Sequence, residues 1–243
     1  MRSGNPVLTD KTFNISIAQA DRMTINGVVN KSAIMLGLVL LSAFWIWDKF
    51  YSTLIISDIM PFMIGGIVGG LVVALITVFK PQYSNITAPL YAILEGLALG
   101  GISAFMETQY PGIVIQAVAL TFATFFSLLA AYRSGLIKVT ENFKLMVVAA
   151  TGAIFLVYIV SFVLGMFGTS IPYIHDSGWV GILFSLVVVA VAALNLVLDF
   201  DFIENGADKG APKFMEWYAA FGLVVTLVWL YLEILRLLSK LRR

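Results

Sequence analysis

The chain has 243 residues, 60% of them hydrophobic and 12% charged, with a net charge of +1 and a mean hydropathy of +0.96. Soluble domains carry about 25% charged residues, so this composition excludes an ordinary soluble globule and reads as a polytopic membrane protein. Zero cysteines exclude disulfides and thiolate metal or redox sites; the single histidine excludes a multi-histidine metal site, and a near-neutral chain without a basic, aromatic-studded patch excludes nucleic acid as a partner.

Residues 1–32 are polar and of mixed charge (Arg2, Asp10, Lys11, Asp21, Arg22, Lys31). They lack the short apolar core and small-residue cleavage site of a signal peptide and read as a cytoplasmic tail. Seven apolar runs follow, each long enough for the ~20 helical residues that cross a bilayer core, at roughly 33–53, 59–79, 88–107, 111–132, 144–167, 178–199 and 215–238. Apart from a loop at 168–177 and a polar turn at 201–214 the connections are short, so residues 33–241 read as one all-α membrane domain. Gly65, Gly66, Gly69 and Gly70 in the second run, and Gly96 and Gly100 in the third, have the small-residue spacing that lets helix backbones approach; packing is their simplest use, lining a pathway the other.

Lysine and arginine favour the cytoplasmic side. With the tail inside, the inner side collects Arg2, Lys11, Arg22, Lys31, Lys80, Arg133, Lys138, Lys144, Lys209 and Lys213, against Lys49 outside. Arg236, Lys240, Arg242 and Arg243 break the pattern. Either the seventh run crosses fully and exports them, or it is re-entrant and brings them back.

Ionised side chains at the bilayer centre cost about 2.5–3.5 kcal/mol on insertion scales, so the intramembrane acids are where function is sought. Asp199 and Asp201 close the sixth run, where they either end the helix at the interface or face the bundle. Glu204 and Asp208 read as part of a solvated turn. Glu216, beside Trp217 and Tyr218, reads as an acid favouring the positive end of the seventh helix. Glu233 has apolar neighbours on both sides; Arg236, three residues on, shares its face and offers a local ion pair, the alternative being a site facing the bundle interior. Glu95, inside the third run, has no basic residue within helical reach, so it must be protonated, hydrated or matched from another helix.

These stretches carry a family resemblance. LYLEILRLL resembles the leucine-rich signature of the last helix of the Bax inhibitor-1 (transmembrane Bax-inhibitor-motif) family, and VLDFDFIE the end of that family's sixth helix, with Asp199 on its aspartate and Ile203 on its isoleucine. AILEGLALGGISA, QYPGIVIQAVALTFATFF and PKFMEWYAAFGLVVTLVWLYLEILRLL resemble its bacterial YccA-like branch. The resemblance implies a seven-helix bundle with the last helix central, wrapped by the other six, in a bacterial inner membrane. It further implies a proton-sharing acidic pair, Asp199 with Glu233, that gates a calcium leak and contacts the ion weakly and transiently.

Two carboxylates a few ångströms apart cannot both ionise cheaply, so such a pair holds one proton and loosens when it is lost. The pairing has a rival. In a simple hairpin turning near residue 208, Asp199 falls opposite about Trp217 and Glu216 is its nearer acid, whereas Glu233 lies about 25 Å beyond Glu216 along a straight helix. Pairing with Glu233 requires an interfacial helix at 212–219 before the seventh span.

No P-loop, HExxH or GxSxG motif appears, which speaks against an ATP-driven pump and against an enzyme; no cofactor is expected. Three functions follow as expectations. The first is a passive, pH-sensitive calcium or cation leak. The second is a regulator of a membrane AAA protease, an association the resemblance implies, contacting it through the N-terminal tail. The third is a proton-coupled secondary transporter using Glu95.

Overall fold

The computed structural model describes residues 22–169 and 178–242. Most of the expected N-terminal tail, and the loop with His175, lie outside the described residues. Seven helices, each long and apolar enough to cross a membrane, make up the described chain. They are α1 (Ile25–Thr53), α2 (Ile56–Phe79), α3 (Ser84–Gln109), α4 (Ile113–Arg133), α5 (Glu141–Met166), α6 (Trp179–Asp208) and α7 (Met215–Leu241), with one 3₁₀ turn, Pro81–Tyr83, leading into α3.

α7 is the most deeply buried of the seven. It packs against α1, α3, α4 and α6, while α2 lies on the outer side of α3 and α5 on that of α6. The last helix is therefore central, but it is sheathed directly by four helices rather than six. α7 runs unbroken from Met215, so no separate interfacial helix precedes it. Just past its end Arg242 donates to Pro111 O at 2.8 Å and to Gln116 Oε1 at 2.7 Å, and in its last turn Lys240 donates to Gly181 O at 3.0 Å. Those contacts lie where α4 and α6 begin, at the end of the bundle opposite the α6–α7 turn. The seventh helix therefore runs the length of the bundle and does not turn back on itself.

Two glycine rows fix the packing of α1 and α2 on α3. A methyl group on Gly100 would lie 2.7 Å from Ala43 Cα, and one on Gly96 3.0 Å from Val39 Cα, so α1 sits on bare α3 backbone. On the other side a methyl on Gly66 would lie 2.9 Å from Ala98 N. These are close approaches of the small-residue kind. Gly65, by contrast, faces open space.

The largest departure from the sequence reading is α6, which does not stop at Asp199 but continues to Asp208. Two of the acids past Asp199 are met by neighbouring helices: Lys144 on α5 pairs with Asp201 at 3.0 Å, and the Tyr132 hydroxyl on α4 donates to Glu204. With those charges matched the helix has no reason to break until Gly210, which takes φ 64°. There Gly210 N–H bonds Ala207 O and Ala211 N–H bonds Gly206 O, the two-bond glycine closure of a helix C-terminus. At the other end of the chain α1 starts at Ile25, capped by the Thr24 hydroxyl accepting from Gly27 N–H, and so takes in residues 25–32 that the charge pattern assigned to the tail.

Candidate functional site

Depth along the helices decides which acids can meet. Take the end of the bundle where α1 and α7 start and α6 finishes. Glu95 is 11 residues into α3, Asp199 is 9 residues from the end of α6, and Thr226 is 11 residues into α7; at 1.5 Å per residue all three sit roughly 14–17 Å deep. They share one groove of about 750 Å³. Ile67, Leu71, Ala74 and Val78 of α2 form one wall and Asp199 and Phe202 of α6 the other, with α3 and α7 as the floor. α2 and α6 make no packed interface with each other, so the groove opens sideways between them.

Neither carboxylate in this groove has a basic partner among the described residues. Asp199 faces the Thr226 hydroxyl, its Oδ1 lies 4.0 Å from where a methyl group on Gly222 would be, and its Oδ2 is buried without a hydrogen-bond partner. Glu95 interacts with the Tyr91 hydroxyl one turn earlier on α3, and its Oε2 lies against the bare backbone of Gly70, 3.4 Å from a methyl placed there. Among the described residues no lysine or arginine lines the groove. Tyr91 and Phe221 pack edge to face at 5.0 Å across the floor, and Tyr218 lies beside Phe221.

Glu233 is elsewhere. It stands seven residues beyond Thr226, about 10 Å further along α7. Its carboxylate is 2% exposed and accepts from the Tyr158 hydroxyl of α5 at 2.8 Å and from Arg236 Nη1 at 2.9 and 3.0 Å. Arg236 Nη1 also lies 2.7 Å from the Tyr158 hydroxyl, and the guanidinium stands over that ring at 5.2 Å. The expected Asp199–Glu233 contact is thus not made. The local ion pair with Arg236 is made, with Tyr158 as an unforeseen third member that ties the peripheral α5 to the central helix.

The rival pairing of Asp199 with Glu216 is not made either. Glu216 is 0% exposed at the start of α7, where Oε1 accepts from Thr24 N–H and Thr24 Oγ1, each at 2.9 Å, and pairs with Lys213 at 2.9 Å. Its Oε2 pairs with Lys31 of α1. The sequence reading made it an acid at a helix N-terminus; the structure makes it the hub joining α1 to the α6–α7 turn. Met23 N–H, bonded to Ala211 O at 2.7 Å, extends the same junction. Asp201, paired with Lys144, is an interhelical ion pair near the bundle end.

Three residues of the groove were missed. Tyr91 stands one helical turn before Glu95, a spacing that could have flagged it. Thr226 and Phe221 lie in an apolar run where a threonine or phenylalanine carries no signal of its own. No three acidic or histidine side chains among the described residues converge into a metal site. What the groove offers is two carboxylates in an aromatic and aliphatic lining, able to hold a proton or attract a cation deep in the bundle.

A family model described as Bax inhibitor 1 like matches residues 5–243. No curated protein matches the chain.

Proposed function

The chain belongs to the Bax inhibitor 1 like family, and from that premise we propose that it is a passive, pH-sensitive cation leak, with calcium as its physiological ion, whose titrating groups are Asp199 and Glu95. The observation that carries the reading is the groove, in which two carboxylates without a basic partner face one lumen and one carboxylate oxygen is buried unsatisfied. Protonated, the two acids are neutral and the groove has no attraction for a cation. Deprotonated, they make the groove negative and draw a cation in, since carboxylates, carbonyls and water are calcium's preferred ligands. Flux therefore rises with pH. In this reading the groove stops short of a through-path, Leu227, Leu230 and Ile234 being buried in the α7 core beyond it.

Glu233, held by Arg236 and Tyr158, serves in this reading as a latch rather than as the second half of a dyad: it keeps α5 and α7 together on the far side of the membrane. The lysine-rich end, with Lys31, Lys80, Lys144, Lys209 and Lys213, faces the cytoplasm of a bacterial cell, as positive loops do. The test is calcium flux into proteoliposomes from pH 6 to 8. Flux that rises with pH in the wild type and is flat in Asp199→Asn and Glu95→Gln supports the leak; absence of flux from folded protein at every pH overturns it.

A second reading draws on the same groove. Glu95 beside a sideways opening also suits a proton-coupled carrier. Saturable uptake driven by a proton gradient, and abolished by Glu95→Gln, would favour the carrier over the leak. The protease-regulator reading rests on the tail, most of which lies outside the described residues.

A further inference from the structure

The same groove has the chemistry of an organic-cation site. It holds about 750 Å³, within the range of cavities that enclose drug-sized ligands. One side is aliphatic, from Ile67, Leu71 and Val78; the other presents the Asp199 and Glu95 carboxylates with Tyr91 and Tyr218 beside them. Carboxylates next to aromatic rings are the recurrent surroundings of bound ammonium groups, the acids supplying charge and hydrogen-bond acceptors and the rings a cation–π face. Two independent features point to an occupant. Asp199 Oδ2 is buried and unpartnered, an acceptor for which the fold supplies no donor. And no lysine or arginine among the groove's residues takes the place of a cation, although acids elsewhere in the molecule (Asp201, Glu216, Glu233) have one.

The route in is lateral. Because α2 and α6 are not packed together, the groove is reached from the bilayer, and its aliphatic wall is continuous with lipid-facing side chains such as Leu71 and Ile67. An amphiphile can arrive that way, its chain staying among the acyl tails while its head moves inward.

We propose that this groove binds membrane-dissolved cationic amphiphiles, protonated primary amines on an apolar chain, with the ammonium between Asp199 and Glu95 and the chain along α2. A primary alkylamine, with a pKa near that of lysine at about 10.4, is cationic at neutral pH and brings three N–H donors, one of them to the unpartnered Asp199 Oδ2. The proposal rests on the groove assignment made above and adds the ligand class; its occupant would also plug the leak.

The test measures binding without flux, so that it stands or falls separately from the channel. Radiolabelled dodecylamine is titrated onto the purified full chain in phosphatidylcholine nanodiscs, with empty nanodiscs as background. The expected result is saturable binding that is not displaced by dodecanol, which has the same chain without the charge. The Glu95→Gln/Asp199→Asn double variant, isosteric at both positions and checked for wild-type helix content, is expected to bind at least tenfold more weakly. Binding no greater than to empty nanodiscs overturns the proposal, as does equal displacement by dodecanol, an arm that needs no variant. Unchanged affinity in the folded double variant overturns it too. Dodecylamine binding without any calcium flux would leave the amine site standing and remove the leak.

Discussion

Lys31 on α1 and Glu216 at the start of α7 form an ion pair whose acidic member is 0% exposed and whose basic member is 17% exposed. Three more donors, from Thr24 and Lys213, complete the same carboxylate. Removing one member of a buried pair leaves the rest uncompensated and costs about 3–5 kcal/mol. Glu216→Leu, which strips every one of these contacts, is expected to fall in that range. Lys31→Met is expected to cost less, about 1–3 kcal/mol, because Lys213 and Thr24 still hold the carboxylate. Unfolding of the purified protein in detergent, followed by helix content, measures both, and equal stability of the two variants would contradict the hub.

The same carboxylate makes Gly27 irreplaceable. A methyl group there would overlap the Glu216 carboxyl, whereas one at Gly37, a few turns along the same helix, meets nothing. Gly27→Ala should therefore destabilise by about 1–3 kcal/mol through overpacking, while Gly37→Ala should be neutral or slightly stabilising, since alanine is the better helix former. The paired comparison cancels helix propensity and leaves the clash. Equal effects at the two sites would mean that the N-terminus of α1 moves freely away from Glu216.

The seven spans were legible because hydropathy over about 20 residues is a strong signal, and the role of Gly96 and Gly100 because their spacing has few other uses. The ends of the helices were not. Asp199, Asp201, Glu204 and Asp208 look like the end of a helix when only their own segment is considered. Lys144 and Tyr132, which let α6 continue past them, sit on other helices and far away in sequence. The shift had consequences for the site: with α6 longer, Asp199 comes level with Gly222 and Thr226 rather than with Trp217, and neither expected acidic partner reaches it. Glu95 was singled out for lacking a local base, but its companionship with Asp199 depends on how α2 and α6 stand apart, which no single segment encodes.

Tyr158 and Glu233 provide a direct reading of how firmly α5 is attached. α5 packs chiefly on α6, and its one polar link to the central helix among the described residues is the Tyr158–Glu233–Arg236 cluster. Hydrogen bonds between membrane helices couple by about 0.6 kcal/mol on average and up to about 1.7. A double-mutant cycle of Tyr158→Phe and Glu233→Gln should give a coupling at the upper end of that range, because Glu233 is charged and 2% exposed. Zero coupling would show that Arg236 alone satisfies Glu233.

Glu233→Gln also separates the groove from the latch in function. If Asp199 and Glu233 were one proton-sharing pair, neutralising either would remove the same titration, and the two variants would have the same flat flux between pH 6 and 8. In the structure they are held apart along α7 by the turns from Thr226 to Glu233, and each has its own partners. Asp199→Asn should then flatten the pH response. Glu233→Gln should keep it, with flux still rising as Asp199 and Glu95 lose their protons, but at a higher level throughout because the tie between α5 and α7 is weakened. The comparison is made in proteoliposomes at matched protein content, with the ratio of flux at pH 8 to that at pH 6 as the readout. A ratio near wild type in Glu233→Gln and near one in Asp199→Asn fits two separate sites; a ratio near one in both variants would restore the dyad and require α6 and α7 to slide past each other by about two helical turns.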